Sequence, residues 1–192
     1  MADIKKEPEI FSIPIEIQKF CLKIARDSIQ SFLIKKEHPK VTLETEELHK
    51  ERAVFVTLTK NGNLRGCIGT TMPQTILKKA VVQMSIAAAF EDPRFPQVTE
   101  EELKQIKIEI SILSPMQKID SHEQIIPNKH GVLIKKGFNS GLFLPQVWEH
   151  FNSKEDFMNE LCTQKAGIHA DSWKNPNEKA ELFVFEVFNF SE

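Results

Sequence analysis

The dipeptide Asn61-Gly62 lies between two short segments that are rich in apolar and β-branched residues, residues 55–59 and 64–69. This pattern is the strongest short-range signal for a tight β-hairpin. We therefore predict that residues 64–69 (LRGCIG) form the returning strand of a hairpin. Because side chains alternate along a strand, Arg65 and Cys67 are expected on one face, where the guanidinium would favour the thiolate form of the cysteine.

Two glycines, Gly66 and Gly69, lie close to Cys67 in this strand. Glycine weakens a strand because it loses more conformational entropy on folding and offers no side chain for packing. The pair therefore indicates a bulge, or a backbone that another group must approach closely. Two interpretations of Cys67 stay open, a reactive thiol in a site or a buried residue that acts as a small hydrophobic side chain.

The length and the charge of the chain restrict the class of protein. With 192 residues it is long enough for one well-packed domain or for two small lobes. Its 25 basic and 27 acidic residues give a formal net charge of −2, which does not support a dedicated nucleic-acid-binding protein. No apolar run reaches the length of a membrane span, and residues 1–7 lack the apolar stretch of a signal peptide. We expect a cytoplasmic protein that binds neither nucleic acid nor membranes.

The three cysteines, Cys21, Cys67 and Cys162, are an odd number without a paired spacing, which is typical of a reducing compartment. Cys21 falls on the apolar stripe of the first predicted helix and Cys162 near the end of a later one, so both are expected in the core. The sequence has no His-x-His, His-Glu-x-x-His or Cys-x-x-Cys motif. It therefore predicts no metal site, and it identifies no cofactor.

Hydrophobic periodicity predicts the other elements. Residues 106–112 alternate strictly, with four isoleucines on one face and Lys107, Glu109 and Ser111 on the other. Local hairpins mixed with helices that do not alternate regularly with the strands indicate an α+β fold, with an antiparallel or mixed sheet and flanking helices. We also predict helices at residues 14–36, 74–90 and 153–167, a short helix capped by Thr99 and Glu102, a second hairpin within residues 130–144, and a last strand at 181–190 that is central or covered on both faces.

A cysteine nucleophile requires a base, and His130 is the candidate among six histidines because a glycine follows it and a strand begins there. An ordinary loop histidine fits the same sequence. Gln146 follows Pro145 and is a candidate donor to a ligand. Its alternative is the usual task of satisfying neighbouring backbone groups.

Arg94 lies in a loop bounded by two prolines, residues 92–96 (DPRFP). Its planar guanidinium suits a carboxylate or a phosphate, and the alternative is a local pair with Asp92. Glu109 is either solvated or part of a site, because one face of such a sheet is often wet.

Five segments together resemble the AMMECR domain family, and they occur in the expected order. We take residues 14–190 as a single AMMECR-type domain and residues 1–13 as an N-terminal extension. Two stretches look like departures from the family pattern, the insertion-like residues 40–52 and Asn128-Lys129 ahead of His130. The five segments are residues 64–69 (LRGCIG), 92–96 (DPRFP), 108–115 (IEISILSP), 141–148 (GLFLPQVW) and 161–167 (LCTQKAG).

The resemblance implies an α+β fold with one larger and one smaller intertwined lobe, in which residues 64–69 line a cleft. In prokaryotes the family is similar to component A of the AmmeMemoRadiSam system, which is encoded near, or fused to, a Memo-type protein and a radical S-adenosylmethionine (SAM) protein. Memo-like and radical SAM proteins are therefore the implied partners. The resemblance implies no established reaction.

Two functional hypotheses follow. The first is a cysteine-dependent enzyme or accessory component that acts on a small polar substrate, with Cys67 as a thiol nucleophile or as a thiol that holds the substrate. The second is a non-catalytic binding or scaffold module that presents residues 64–69 as a docking surface. The candidate residues are Cys67 and His130 for chemistry, and Arg65, Gly66, Gly69, Arg94, Glu109 and Gln146 for substrate binding.

Overall fold

The computed structural model describes residues 11–37 and 44–192. The chain divides into two compact units: the first takes the described residues up to Leu113 together with Phe188–Glu192, and the second takes Ser114–Val187. Each unit has its own four-stranded sheet with helices beside it, which confirms the predicted α+β class. The chain leaves the first unit after Leu113 and returns to it at Phe188.

The predicted hairpin forms the centre of the first unit. It consists of β1 (Val54–Lys60) and β2 (Asn63–Gly69), which pair in antiparallel orientation. Asn61 and Gly62 at the turn have φ of 53° and 79°, the left-handed conformation that a tight hairpin turn requires. Strand β3 (Ile106–Leu113) pairs with the other side of β1, and β8 (Val187–Ser191) completes the order β2-β1-β3-β8.

Two long helices cover one face of this sheet. Helix α1 (Ile15–Lys35) follows Pro14, and α3 (Leu77–Phe90) packs against α1, β1 and β2. The four isoleucines of β3 and the alternate residues of β1 are buried beneath the helices, as the alternating pattern predicts. Two single-turn helices complete the unit, α2 (Glu46–His49) and α4 (Glu100–Leu103). The Thr99 and Glu102 capping box at α4 is formed as predicted.

The second unit contains the predicted second hairpin, β5 (Gly131–Lys136) and β6 (Asn139–Phe143). With β4 (Gln117–Ile119) and β7 (Glu181–Phe185) they form a sheet of order β4-β7-β5-β6. Ser153 caps helix α5 (Lys154–Glu160), which continues into a π-helical turn, Leu161–Ala166. That turn ends at Gly167, whose φ of 63° favours glycine.

The predicted last strand at 181–190 is wrong in one respect, because it is two strands that belong to different sheets. Leu182 and Val184 of β7 pack in the core of the second unit. Phe188 and Phe190 of β8 pack in the core of the first unit. Within β7, an inner strand of its sheet, Leu182 and Val184 lie in the core and Phe185 on the other face is also buried, so the expected central position is confirmed for this part of the stretch.

Two predicted boundaries fall partly outside the described residues. Residues 1–10 of the expected N-terminal extension are among those not described, whereas Ile13 is buried in the first core. Residues 40–43 of the insertion-like segment are also outside them. In the described part of that segment, Arg52 forms an ion pair of 2.9 Å with Glu47 of α2.

A β-bulge in β2 overturns the prediction that Arg65 lies beside the Cys67 thiol. Leu58 is opposite Gly66 and the next residue, Thr59, is opposite Leu64, so Arg65 is the extra residue. A bulge interrupts the alternation of side chains. The Arg65 guanidinium instead donates to Glu102 through Nε at 3.2 Å and Nη2 at 2.9 Å, and its side chain is only 10% exposed.

The close approach predicted at the glycines is confirmed at Gly66. An added Cβ at this position would lie 2.1 Å from the carbonyl oxygen of Ala88 in α3.

We expect Gly66→Ala to lower the free energy of unfolding by about 1–3 kcal/mol, because the helix must move away from the sheet. Urea denaturation measures this change. Leu64→Ala, at an exposed position of the same strand, is the control and should stay within about 0.5 kcal/mol; equal losses in both variants would contradict the packing argument.

Glu102 links α4 to the hairpin and makes stability depend on pH. Hydrogen bonds from Arg65 and Lys60 lower the pKa of its carboxyl from 4.5 to about 2. A lowered pKa in the folded state stabilises the protein above pH 4.5, and this contribution is lost as the pH falls towards 2. Glu102→Gln should therefore cost about 2–3 kcal/mol at pH 7 and progressively less below pH 4.5.

Urea denaturation of the wild type and of Glu102→Gln between pH 3 and pH 7 measures this difference. Glu100→Gln, an exposed position in the same helical turn, is the control and should show no such pH dependence. A cost for Glu102→Gln that stays constant over the whole pH range would rule out the ion-pair explanation.

Candidate functional site

Cys67 is the one described cysteine that reaches solvent. It is half-buried on the face of the first sheet that points away from α1 and α3, and its Sγ lies 3.2 Å from the hydroxyl of Thr57 on β1. Cys21 and Cys162 are completely buried, which confirms their predicted places in the two cores. Burial raises the pKa of the Cys21 thiol to about 12 and that of Cys162 to about 11.

The backbone of Cys67 is held by the loop that follows α3. The Asp92 carboxylate accepts a hydrogen bond of 2.8 Å from the Cys67 N–H, and the Cys67 carbonyl accepts one of 3.1 Å from Arg94 Nη2. Asp92 in turn accepts from Arg94 Nε at 2.9 Å, from Nη2 at 2.7 Å and from the Arg94 N–H at 3.1 Å. We call these contacts among Asp92, Arg94 and the Cys67 backbone the Asp92 clamp.

The Asp92 clamp solves a specific problem of the sheet edge. Strand β2 is the edge strand, so its outward N–H and C=O groups lack a neighbouring strand. At Cys67 a carboxylate takes the place of a neighbouring carbonyl, and a guanidinium takes the place of a neighbouring N–H. Asp92 is buried, with 2% of its side chain exposed, and the Arg94 guanidinium and the Cys67 and Arg94 N–H groups hold the pKa of its carboxyl well below the usual range. The clamp is therefore ionised at neutral pH.

Arg94 forms the local pair with Asp92 that was its alternative interpretation, and it still presents N–H donors to solvent. Its Nε and Nη2 are bound to Asp92 and Cys67, as described above. Its side chain is 54% exposed, and Nη1 has no hydrogen-bond partner within residues 11–37 and 44–192. The pair with Asp92 thus fixes the guanidinium without using all of its N–H groups.

Cys67, Thr57 and Glu109 form a row across three strands. Thr57 lies opposite Cys67 on one side and opposite Glu109 of β3 on the other. Glu109 is exposed, as the alternating pattern predicts, and it makes no hydrogen bond or ion pair with another described residue. In the neighbouring row the Phe55 ring covers Gly69, where an added Cβ would lie 2.3 Å from a ring carbon. The ring forms an apolar wall beside the row.

Gly66 and Arg65 take no part in this face. The open side of Gly66 is filled by α3, and the Arg65 guanidinium is bound to Glu102. The arginine that is close to Cys67 in space is therefore Arg94, whereas Arg65 is close to it only in sequence.

His130 and Gln146 belong to the second unit. The Nδ1 atom of His130 accepts a hydrogen bond from the Ile126 N–H at 3.2 Å, and its carbonyl accepts one of 2.7 Å from the Trp148 indole. Burial lowers the pKa of the imidazole, so His130 is a neutral residue that closes a local turn. This geometry favours the interpretation of His130 as an ordinary loop histidine. The assignment of His130 as the base for Cys67 stays a prediction.

Gln146 is exposed in a 3₁₀-helical segment, Pro145–His150. Its proposed contact with a ligand stays a prediction.

Among the residues that the structure describes, no cluster of His, Cys, Asp and Glu side chains is suited to hold a metal ion. No helix within residues 11–37 and 44–192 has the length and apolar character needed to cross a bilayer.

Two residues of the site, Thr57 and Asp92, were not assigned to it from the sequence. Thr57 occupies a predicted strand, and only the pairing register places its hydroxyl beside the sulfur. Asp92 was interpreted as a local partner of Arg94. The signal available was its position before proline in a rigid loop, where a carboxylate often binds nearby backbone N–H groups.

Comparison with known proteins identifies the chain. The AMMECR1 family model matches residues 22–190. A protein of Methanosarcina mazei is 40% identical over 181 residues, which cover 89% of each chain, and one of Thermococcus gammatolerans is 36% identical over 193 residues, 93% of each chain. The crystal structure of an uncharacterised protein from Pyrococcus horikoshii superimposes with a TM-score of 0.76 at 32% identity, covering 95% of this chain and 94% of that one. The chain therefore belongs to the AMMECR1 family.

Proposed function

We propose that this protein acts through Cys67 on a small polar molecule, either as an enzyme with a thiol nucleophile or as an accessory component whose thiol holds a substrate. In this proposal it works in the cytoplasm with Memo-like and radical SAM proteins, as its family resemblance implies. The observation that carries the proposal is the Asp92 clamp, which fixes the backbone of the accessible cysteine on its outer side. The clamp binds only backbone groups of Cys67, and it fixes the position from which the thiol reaches solvent.

The groups around the sulfur suit a thiolate. The Thr57 hydroxyl lies within hydrogen-bonding distance of Sγ, and it is able to donate to a negatively charged sulfur. Asp92 raises the pKa of the Arg94 guanidinium, which is therefore positively charged, and its Nη2 donates to the Cys67 carbonyl. In this proposal a positive charge next to the residue favours the thiolate, which is the reactive form. Arg94 takes the role that the sequence alone assigned to Arg65.

The docking hypothesis has support from a different observation. Leu64 on β2 and Met72, which follows this strand, are each 45% exposed, and exposed apolar side chains favour contact with a partner protein. This hypothesis needs the surface around Cys67 but not its sulfur. The two functions therefore make opposite predictions for substitutions that remove only the thiol.

Iodoacetamide labelling tests the reactivity of the thiol in the folded protein. We expect one cysteine to react rapidly at pH 7.5 and to be identified as Cys67 by peptide mass mapping, since Cys21 and Cys162 are buried. Arg94→Gln should slow labelling about threefold or more, because the thiolate loses a nearby positive charge. Lys79→Gln, an exposed position on α3, is the control for loss of one positive charge. Equal rates in the wild type and Arg94→Gln would remove the assigned role of Arg94, and no labelling of Cys67 would overturn the proposal.

Two measurements on the wild type, Cys67→Ser and Cys67→Ala separate the two hypotheses: substrate turnover and partner capture. The thiol proposal expects that neither variant supports activity, measured as substrate turnover, in a mixture with purified Memo-like and radical SAM proteins, although both retain their circular dichroism spectra. Activity that both variants keep at the wild-type level would contradict it. The docking hypothesis expects near-normal capture of the partner by both variants, and loss of capture in Leu64→Asp.

A further inference from the structure

We infer that a cavity within the second unit binds a small monocarboxylate with a compact apolar body. This inference goes beyond the proposed function, because every residue that lines the cavity belongs to Ser114–Val187 and none of them belongs to the Cys67 site. The cavity has a volume of about 280 Å³, which is close to the share of about nine waters in the liquid. It therefore suits a compound smaller than a typical drug-sized ligand.

The cavity lies where two paired strands separate. Strands β4 and β7 pair as far as Ile119 and Leu182, and both of these side chains line the cavity. Beyond Ile119 the chain turns into a 3₁₀-helical segment, His122–Gln124. On the other strand the chain reaches Leu182 after Lys179, whose φ of 51° is left-handed. Because the ladder ends at this pair and both chains turn, a space stays open beside it.

Apolar groups form one part of the lining. They are the side chains of Ile119, Leu182 and Ala180 and the indole of Trp173. The His122 ring meets the Trp173 ring edge-on, with centroids 4.8 Å apart and an interplanar angle of 81°, so the two rings hold each other in position. An aromatic or branched aliphatic group that enters the cavity loses contact with water on this surface, which favours its binding.

Lys179 is the lysine of the lining that a ligand meets without competition from a nearby carboxylate. The two carboxylates next to it in the sequence are engaged by other lysines, Glu178 by Lys136 and Glu181 by Lys118. Lys179 is exposed and forms no ion pair with any residue that the structure describes. An anionic group on the ligand therefore has a cation to contact.

Two further residues of the lining have hydrogen-bond donors without a partner among the described residues. Asn175 accepts a hydrogen bond of 3.0 Å from the Asn177 N–H through Oδ1, and its NH₂ group has no acceptor. Ser121 accepts one of 3.2 Å from the Glu123 N–H, and its hydroxyl hydrogen remains unused. A carboxylate accepts several hydrogen bonds at its two oxygens, so it is the anion that suits these donors and Lys179 together.

The other charged residues of the lining limit the ligand to a single negative charge. Lys174 is bound to Glu155 at 2.6 Å and lies over the Trp173 ring, so it is already neutralised. Asp120 is a carboxylate of the lining, and it forms no ion pair within residues 11–37 and 44–192. A second negative charge on the ligand would share the cavity with Asp120 and would be repelled by it.

Titrations followed by heteronuclear NMR test the ligand class. The probes are benzoate, benzamide, which lacks the charge, and acetate, which lacks the apolar body. We expect benzoate to bind about fivefold more tightly than benzamide and about tenfold more tightly than acetate, because each of these compounds loses one of the two kinds of contact. Equal affinities for the three compounds, or no saturable shift with benzoate at millimolar concentration, would overturn the inference.

The two tryptophans report where benzoate binds. The Trp173 indole N–H, which donates to Asn159 at 2.9 Å, belongs to a ring that lines the cavity, so its signal should shift on binding. Trp148 is buried in the core of the same unit and does not line the cavity, so its indole signal should stay in place. Equal shifts of the two signals, or a shift of Trp148 alone, would contradict the assigned site.

Substitutions test the two parts of the lining separately. Ala180→Leu fills the cavity and should abolish the shift of the Trp173 signal by benzoate. Lys179→Gln should weaken benzoate about threefold and leave benzamide nearly unchanged, because only the charged contact is lost. Lys165→Gln is the control, since Lys165 is an exposed lysine of the same unit outside the lining, and it should bind benzoate like the wild type.

The exposed position Lys179 decides the result even if Ala180→Leu does not fold. Wild-type affinity for benzoate in Lys179→Gln would overturn the inference. An equal loss in Lys179→Gln and Lys165→Gln would also overturn it, because the attraction would then be a general property of the surface lysines.

Discussion

The buried carboxylate of Asp92 is the interaction on which the site depends. A charge in this position requires compensation, and it receives it from the Arg94 guanidinium and from two backbone N–H groups, those of Cys67 and Arg94. The same contacts complete the hydrogen bonds at the edge of β2 and fix the position of Arg94. One side chain therefore protects an edge strand, holds the backbone of the accessible cysteine and places a guanidinium beside it.

The two faces of the first sheet have separate tasks, and Gly66 shows how they are divided. On the helical face, the missing side chain of Gly66 lets α3 approach so closely that a Cβ would contact the Ala88 carbonyl. Helix α3 ends at Phe90, so the loop that carries Asp92 begins two residues after the Gly66 contact at Ala88. On the other face, Cys67 and Thr57 remain near solvent. Packing on one side of the strand thus supports the chemical groups on the other side.

The two arginines near the cysteine show why position in the sequence is a poor guide to chemistry. Arg65 is two residues from Cys67, and the bulge directs it to Glu102, where it joins α4 to the hairpin. Arg94 is 27 residues away and donates to the Cys67 carbonyl. Each arginine has one carboxylate partner, but Arg65 is buried whereas Arg94 is half-exposed. Arg94 therefore presents its guanidinium to solvent, whereas Arg65 does not.

The sequence by itself determined the elements and their exposed faces, because these depend on local periodicity, on Asn61-Gly62 at the turn and on the Thr99 cap. It also identified the two core cysteines and the returning strand of the hairpin. Only the tertiary structure decided the partners of Arg65, Arg94, Asp92 and Thr57, because these follow from strand register and loop placement. The two glycines indicated a bulge or a close approach, but they did not show that Arg65 is the extra residue, and one extra residue in β2 changes the direction of a side chain. The division of the last stretch between two sheets was decided in the same way, since both cores accept alternating apolar residues.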